Sequence, residues 1–227
     1  MWIVLIVGLL LLLLVVPQFW VRNVIRRYSA PRDDIPGTGG QLARHLLDRF
    51  GLQQVGVEST DQGDHYDPRD RVVRLSAEHY NGRSLAAVTI AAHEVGHALQ
   101  DAQGMGALRL RTRLVELAGA AQKTGVLSMV AVPLMAVVSR SATAAGIILL
   151  LAVLGFATGF LVHLVTLPVE LDASFRRALP ILRHGRYIAD DDGPAARRIL
   201  QAAALTYVAA SVTSMLSIWR WIAILRR

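Results

Sequence analysis

Between residues 91 and 100 the chain reads Ala91-Ala92-His93-Glu94-Val95-Gly96-His97-Ala98-Leu99-Gln100. Two histidines four residues apart lie one turn apart on the same face of a helix, so both imidazoles reach a single metal ion. Glu94, beside the first histidine, is placed to take a proton from an attacking water without itself binding the metal. Zinc held by such a pair lowers the pKa of water toward ~7, which supplies hydroxide-like attack at neutral pH. The pattern points to zinc-assisted hydrolysis, with His93 and His97 as ligands and Glu94 as general base. The chain has no cysteine, which excludes thiolate zinc sites, disulfide frameworks and cysteine nucleophiles. Any metal must be held by His, Asp or Glu.

A catalytic zinc site takes three protein ligands and leaves one position open. The remaining histidines fit that third place poorly. His45 sits on an early amphipathic helix and His163 inside an apolar run, while His184 lies at a helix end, where a cation complements the dipole. Glu170 and Asp172 follow directly on an apolar stretch, where a carboxylate is costly without a cation or metal to face. Glu170 is the expected third ligand. Asp172, on a different side of the helix, is the expected acceptor that orients a histidine. The competing reading pairs both carboxylates with Arg176 or Arg177. His65 and Tyr66, within Asp64-His65-Tyr66-Asp67-Pro68, are candidate donors to a transition-state oxyanion, on a short strand suited to pairing with a peptide backbone. A turn held by aspartates before Pro68 explains them equally well.

The elements that must position these residues are marked in the sequence. Ser84 is a helix N-cap, and the helix it opens runs to about Gln103, with Gly104 as the stop. Leu42, His45, Leu46 and Phe50 share one face of an earlier helix that Gly51 ends. Val55 and Val57, and then Val72 to Leu75, are short strand signals on either side of the turn Asp67-Pro68-Arg69-Asp70, which predicts a hairpin or a small sheet. Residues 28–120 read as a zincin-like catalytic domain of α+β type.

The surroundings are apolar. The chain is 53% apolar and 18% charged over 227 residues, with a mean hydropathy of +0.41, a balance expected of a folded domain mounted on membrane helices. Residues 1–21 read as a retained membrane anchor and residues 126–167 as a transmembrane hairpin broken at Ser139-Arg140-Ser141. Residues 168–194 form a ligand-bearing helix and linker, and residues 195–227 a C-terminal transmembrane helix, spanning over 200–218. The expected fold is therefore mainly α, with about four transmembrane helices and the small α+β element. Lys and Arg number 24 against 17 Asp and Glu, a net charge of +7. Twenty of the 24 lie in residues 22–123 and 168–198, which places the site on the cytoplasmic face of the membrane. No basic patch interleaved with aromatics accompanies the charge, so nucleic acid is not an expected partner. The expected partners are the lipid bilayer and a polypeptide substrate, and nothing in the sequence sets an oligomeric state. A zinc-bound scaffold without activity, or a metal transporter, are the rival readings. Glu94, which metal binding does not need, favours an enzyme.

The sequence resembles the YugP-type neutral zinc metallopeptidases of bacterial membranes over nearly its whole length. The resemblance rests on Asp64 to Pro68, Arg74-Leu75-Ser76, Asn81 to Ala86, Ala92 to Gln100 and Thr166 to Ser174. It implies a zinc-dependent membrane endopeptidase of gluzincin type in the bacterial inner membrane, similar in plan to the HtpX and CAAX-prenyl-protease enzymes. Those enzymes place a glutamate ligand on a later helix, which agrees with Glu170. Their glutamate is followed four residues on by an aspartate; here position 174 is serine and the aspartate stands at 172.

Overall fold

The computed structural model describes residues 18–115 and 165–204, with the single positions 16, 117 and 162. Helix α1 (18–27) leads to α2 (Gly39–Arg49). Thr38 opens α2: its Oγ1 accepts from the Gln41 amide at 3.2 Å, and Gln41 Oε1 accepts from the Thr38 amide at 2.9 Å. Two amides that a helix start leaves without partners are thereby satisfied. Three strands follow, β1 (Gly56–Thr60), β2 (His65–Asp67) and β3 (Val72–Ser76), arranged β1-β3-β2.

The hairpin alternative gives way to a mixed sheet. β1 and β3 are parallel neighbours, and the three-residue β2 pairs antiparallel with the other edge of β3. The tight turn back from β2 is held by Asp67 Oδ1, which accepts from the Arg69 amide at 2.9 Å, and by Arg71 in the left-handed region at φ 54°. Tyr66, Val73 and Leu75 from the sheet join Leu46 and Leu47 from α2 in one core.

After α3 (Ala77–Asn81) comes α4 (Leu85–Ala102). Ser84 Oγ caps it by accepting from the Ala87 amide at 3.1 Å, and Gly104 leaves it at φ +66°. Every residue of α4 from Leu85 to Gln100 is buried, the signature of a helix surrounded by other elements. Helix α5 (106–115) follows. Helix α6 (165–171) runs into a π-helix over Asp172–Ala178, then α7 (Leu179–His184), a 3-10 turn at Asp190–Asp192, and α8 (193–204).

The expected mainly α membrane fold is corrected by this arrangement. The described residues form an α+β unit of helices around a three-stranded sheet, and among them no helix is long and apolar enough to cross a membrane. The apolar surface of α4 and α8 is spent on the protein's own core. Ala196, Ile199 and Leu200, expected at the start of a membrane helix, pack with α2, α4 and α7. The runs read as spans, 1–21, 126–138, 142–167 and 200–218, fall largely outside the described residues.

Candidate metal centre

Helix α4 carries His93, Glu94 and His97 into the interior, at 3%, 6% and 4% exposure. Glu170, at the end of α6, is fully buried. Gly96 lets α4 meet the π-helix that continues α6. A Cβ at that position would stand 2.9 Å from the Ala173 carbonyl oxygen and 3.4 Å from its carbon, so backbone touches backbone where any side chain would intervene.

The contact brings three ligand-type atoms to one point. His93 Nε2 lies 3.2 Å and His97 Nε2 3.4 Å from Glu170 Oε2, and the three atoms fall within 4.8 Å of one another. A tetrahedral zinc with bonds of about 2.0–2.1 Å has ligand-to-ligand edges of about 3.3 Å. The two observed edges match that figure.

The hydrogen bonds behind the imidazoles decide which nitrogens face inward. Gln100 Nε2 donates to the Val169 carbonyl at 2.8 Å and to Asp172 Oδ2 at 2.9 Å. With two acceptors on its nitrogen, the amide must turn its oxygen to His97, whose Nδ1 lies 2.9 Å from Oε1. Nδ1 is therefore the donor, and in the neutral ring Nε2 offers its lone pair. His93 Nδ1 lies 3.1 Å from Ser174 Oγ, a hydroxyl that can accept from it. With the imidazoles neutral the facing atoms are all acceptors; neither oxygen of Glu170 has a hydrogen-bond partner, and Oε1 meets Arg111 Nη2 as an ion pair at 3.3 Å. Buried acceptors left so are costly, and a divalent cation at their centre removes the cost. The donor set fits zinc.

The carboxyls of the site are pushed in opposite directions. Burial raises Glu94 to about 7, helped by the charges of Glu170 and Asp64 and opposed by His93 and Arg111. Burial also disfavours an ionised Glu170, but His97 and His93, when their rings are protonated, outweigh it and hold that carboxyl well below the usual range. Paired carboxyls driven apart in this way divide the roles of standing anion and proton carrier.

The other residues singled out in the sequence lie around this cluster. Asp172 touches neither histidine; its Oδ2 accepts from Gln100 and, at 2.7 Å, from Arg177 Nε, so it acts on His97 one link removed. Tyr66 donates its hydroxyl to Asp101 Oδ2 at 2.8 Å, and burial together with Asp101 drives the phenol up. His65 Nδ1 sits 2.8 Å from the Gly63 carbonyl. Neither joins the three-residue cluster. His45 Nε2 lies 2.9 Å from the Tyr187 hydroxyl. The residues that sequence reasoning passed over are Gln100, Ser174 and Arg111. Gln100 was within reach, since it stands three positions after His97 on the same helix face.

A family model described as "Putative neutral zinc metallopeptidase" matches residues 2–226. The chain is 39% identical over 209 residues to a protein of Bacillus subtilis (strain 168) named "Putative membrane protease YugP", covering 91% of this chain and 89% of the relative. No solved structure matches.

Proposed function

The chain belongs to the neutral zinc metallopeptidase family, and on that premise we propose that it is a membrane-associated endopeptidase cleaving membrane or membrane-proximal polypeptides. One observation carries the reading: His93, His97 and Glu170 converge on a single point, while Glu94, next in sequence to a ligand, is a buried carboxyl outside that set.

The three converging residues would hold zinc, which supplies Lewis acidity and makes water acidic enough to attack a carbonyl at neutral pH. Glu94 takes the proton of the attacking water and delivers it to the leaving amine. A positioned carboxyl acting in this way contributes about 100- to 10,000-fold in rate. Gln100 Oε1 beside His97 Nδ1 and Ser174 Oγ beside His93 Nδ1 hold the two rings with their Nε2 atoms aimed at the common point. A zinc-bound scaffold without activity would have no use for a buried carboxyl at position 94, and the enzymatic reading accounts for it.

Association with a membrane is supported by the name of the Bacillus relative and by exposed apolar side chains. Phe19, Trp20, Leu117 and Leu171 are all open to the surroundings near the apolar stretches of the sequence, where a lipid surface would cover them. The test is a comparison of membrane peptide profiles, and of casein cleavage, between cells or preparations carrying the native chain and Glu94→Gln. Loss of specific products in the variant is expected. Identical profiles and equal casein cleavage would refute the assignment.

A further inference from the structure

Glu170 offers two carboxylate oxygens, and the structure treats them differently. Oε2 faces both imidazole nitrogens. Oε1 faces Arg111 Nη2 at 3.3 Å, from a guanidinium on α5 that is 19% exposed. The nearer arginines of its own chain segment are used elsewhere: Arg177 on Asp172 at 2.7 Å and Arg176 on the same carboxylate at 4.0 Å. A buried carboxylate with no restraint on its rotation can give both oxygens to a metal, and the second would occupy the position that a catalytic site leaves for water.

We infer that Arg111 is a positioning residue for Glu170, holding Oε1 so that Oε2 alone is presented between His93 and His97. The inference rests on the metal assignment above and deepens it. An arginine suits the task because its guanidinium keeps its charge at every working pH and attracts Oε1 as an ion pair at 3.3 Å. The contact also ties α5 to the site, since Arg111 is the side chain through which that helix reaches Glu170 among the described ion pairs. The same charge acts on Glu94, in the direction that favours its ionised form.

The test uses the full-length chain loaded with cobalt(II), whose visible absorption is strong in four-coordinate and weak in five-coordinate sites. In Arg111→Gln the carboxylate is released, the second oxygen binds, and the absorption falls toward the five-coordinate level. Zinc affinity, measured by competition with a chelator, falls by about 10- to 100-fold, the usual effect of removing a residue that orients a ligand. Arg111→Lys keeps the charge but reaches less far than the guanidinium, and its spectrum and affinity lie between the two; it carries the test should the glutamine variant fail to fold. Arg113→Gln removes a charge from an exposed position two residues along the same helix and leaves spectrum and affinity as in the native chain. A native spectrum and native affinity in Arg111→Gln would overturn the inference, as would an equal effect in Arg113→Gln. A native chain that binds no cobalt or zinc would overturn the metal assignment itself.

Discussion

Replacing Gly96 with alanine probes the contact on which the site depends without touching a ligand. The added Cβ would stand 2.9 Å from the Ala173 carbonyl oxygen, so α4 and the π-helix must part by roughly 0.5 Å to reach an ordinary contact of about 3.4 Å. Neither partner can yield as a flexible side chain would, since both are backbone within helices. Overpacking of this kind costs about 1–3 kcal/mol. The shift acts on the segment that bears Glu170, whose oxygen must remain within about 0.2 Å of its bonding distance. Much of the cost should therefore appear in metal binding, and 1–3 kcal/mol corresponds to a loss of about 5- to 150-fold in affinity. The assay is zinc competition with a chelator of known affinity, with thermal unfolding measured with and without zinc. The zinc-dependent rise in unfolding temperature should shrink in Gly96→Ala. A variant that binds zinc as tightly as the native chain would refute the claim that this backbone contact sets the position of Glu170.

Asp172→Ala should weaken zinc binding by about 10- to 100-fold without abolishing it, because it frees the Gln100 amide that aims His97; chelator competition reads this directly, and complete loss would make Asp172 a ligand. Asp64 accepts from His79 Nδ1 at 2.7 Å and from the Ser76 amide at 2.8 Å. Burial raises its carboxyl, but His79 and Ser76 outweigh burial and hold it below the usual range. A carboxyl so lowered stabilises the fold above its unfolded pKa, and that stability is lost as pH falls through the folded value. Asp64→Asn should therefore be less stable at neutral pH by about 1–3 kcal/mol, and its urea midpoint should change less than the native one between about pH 6 and about pH 3. An equal or steeper change in the variant would contradict the assignment.

What could be read from the sequence was local. The helix of His93 and His97 is announced by Ser84 before it and Gly104 after it, and the structure places both where they end α4. Glu170 stood out because a carboxylate directly after an apolar run has to meet something positive. The sheet was not legible in the same way. A three-residue strand such as β2 carries no periodic signal, and the parallel pairing of β1 with β3 is decided by residues far apart in the chain. Apolar positions also look alike whether protein or lipid covers them, which is why Ala196, Ile199 and Leu200, here part of the core, read as the approach to a membrane helix. Gln100 and Ser174 escaped notice because neither is a metal ligand by type; their roles follow from hydrogen bonds behind the imidazoles. Nothing in the sequence around Arg111 points to Glu170, since the ion pair joins residues far apart in the chain.

The central claim is that His93, His97 and Glu170 hold the zinc while Glu94 moves the proton. It is tested most directly by the zinc content per chain of Glu170→Ala and Glu94→Gln, purified side by side with the native protein and measured by elemental analysis. The native chain and Glu94→Gln should each hold about one zinc, and Glu170→Ala should hold far less. A full complement of zinc in Glu170→Ala, or its loss from Glu94→Gln, would contradict the assignment of ligand and base.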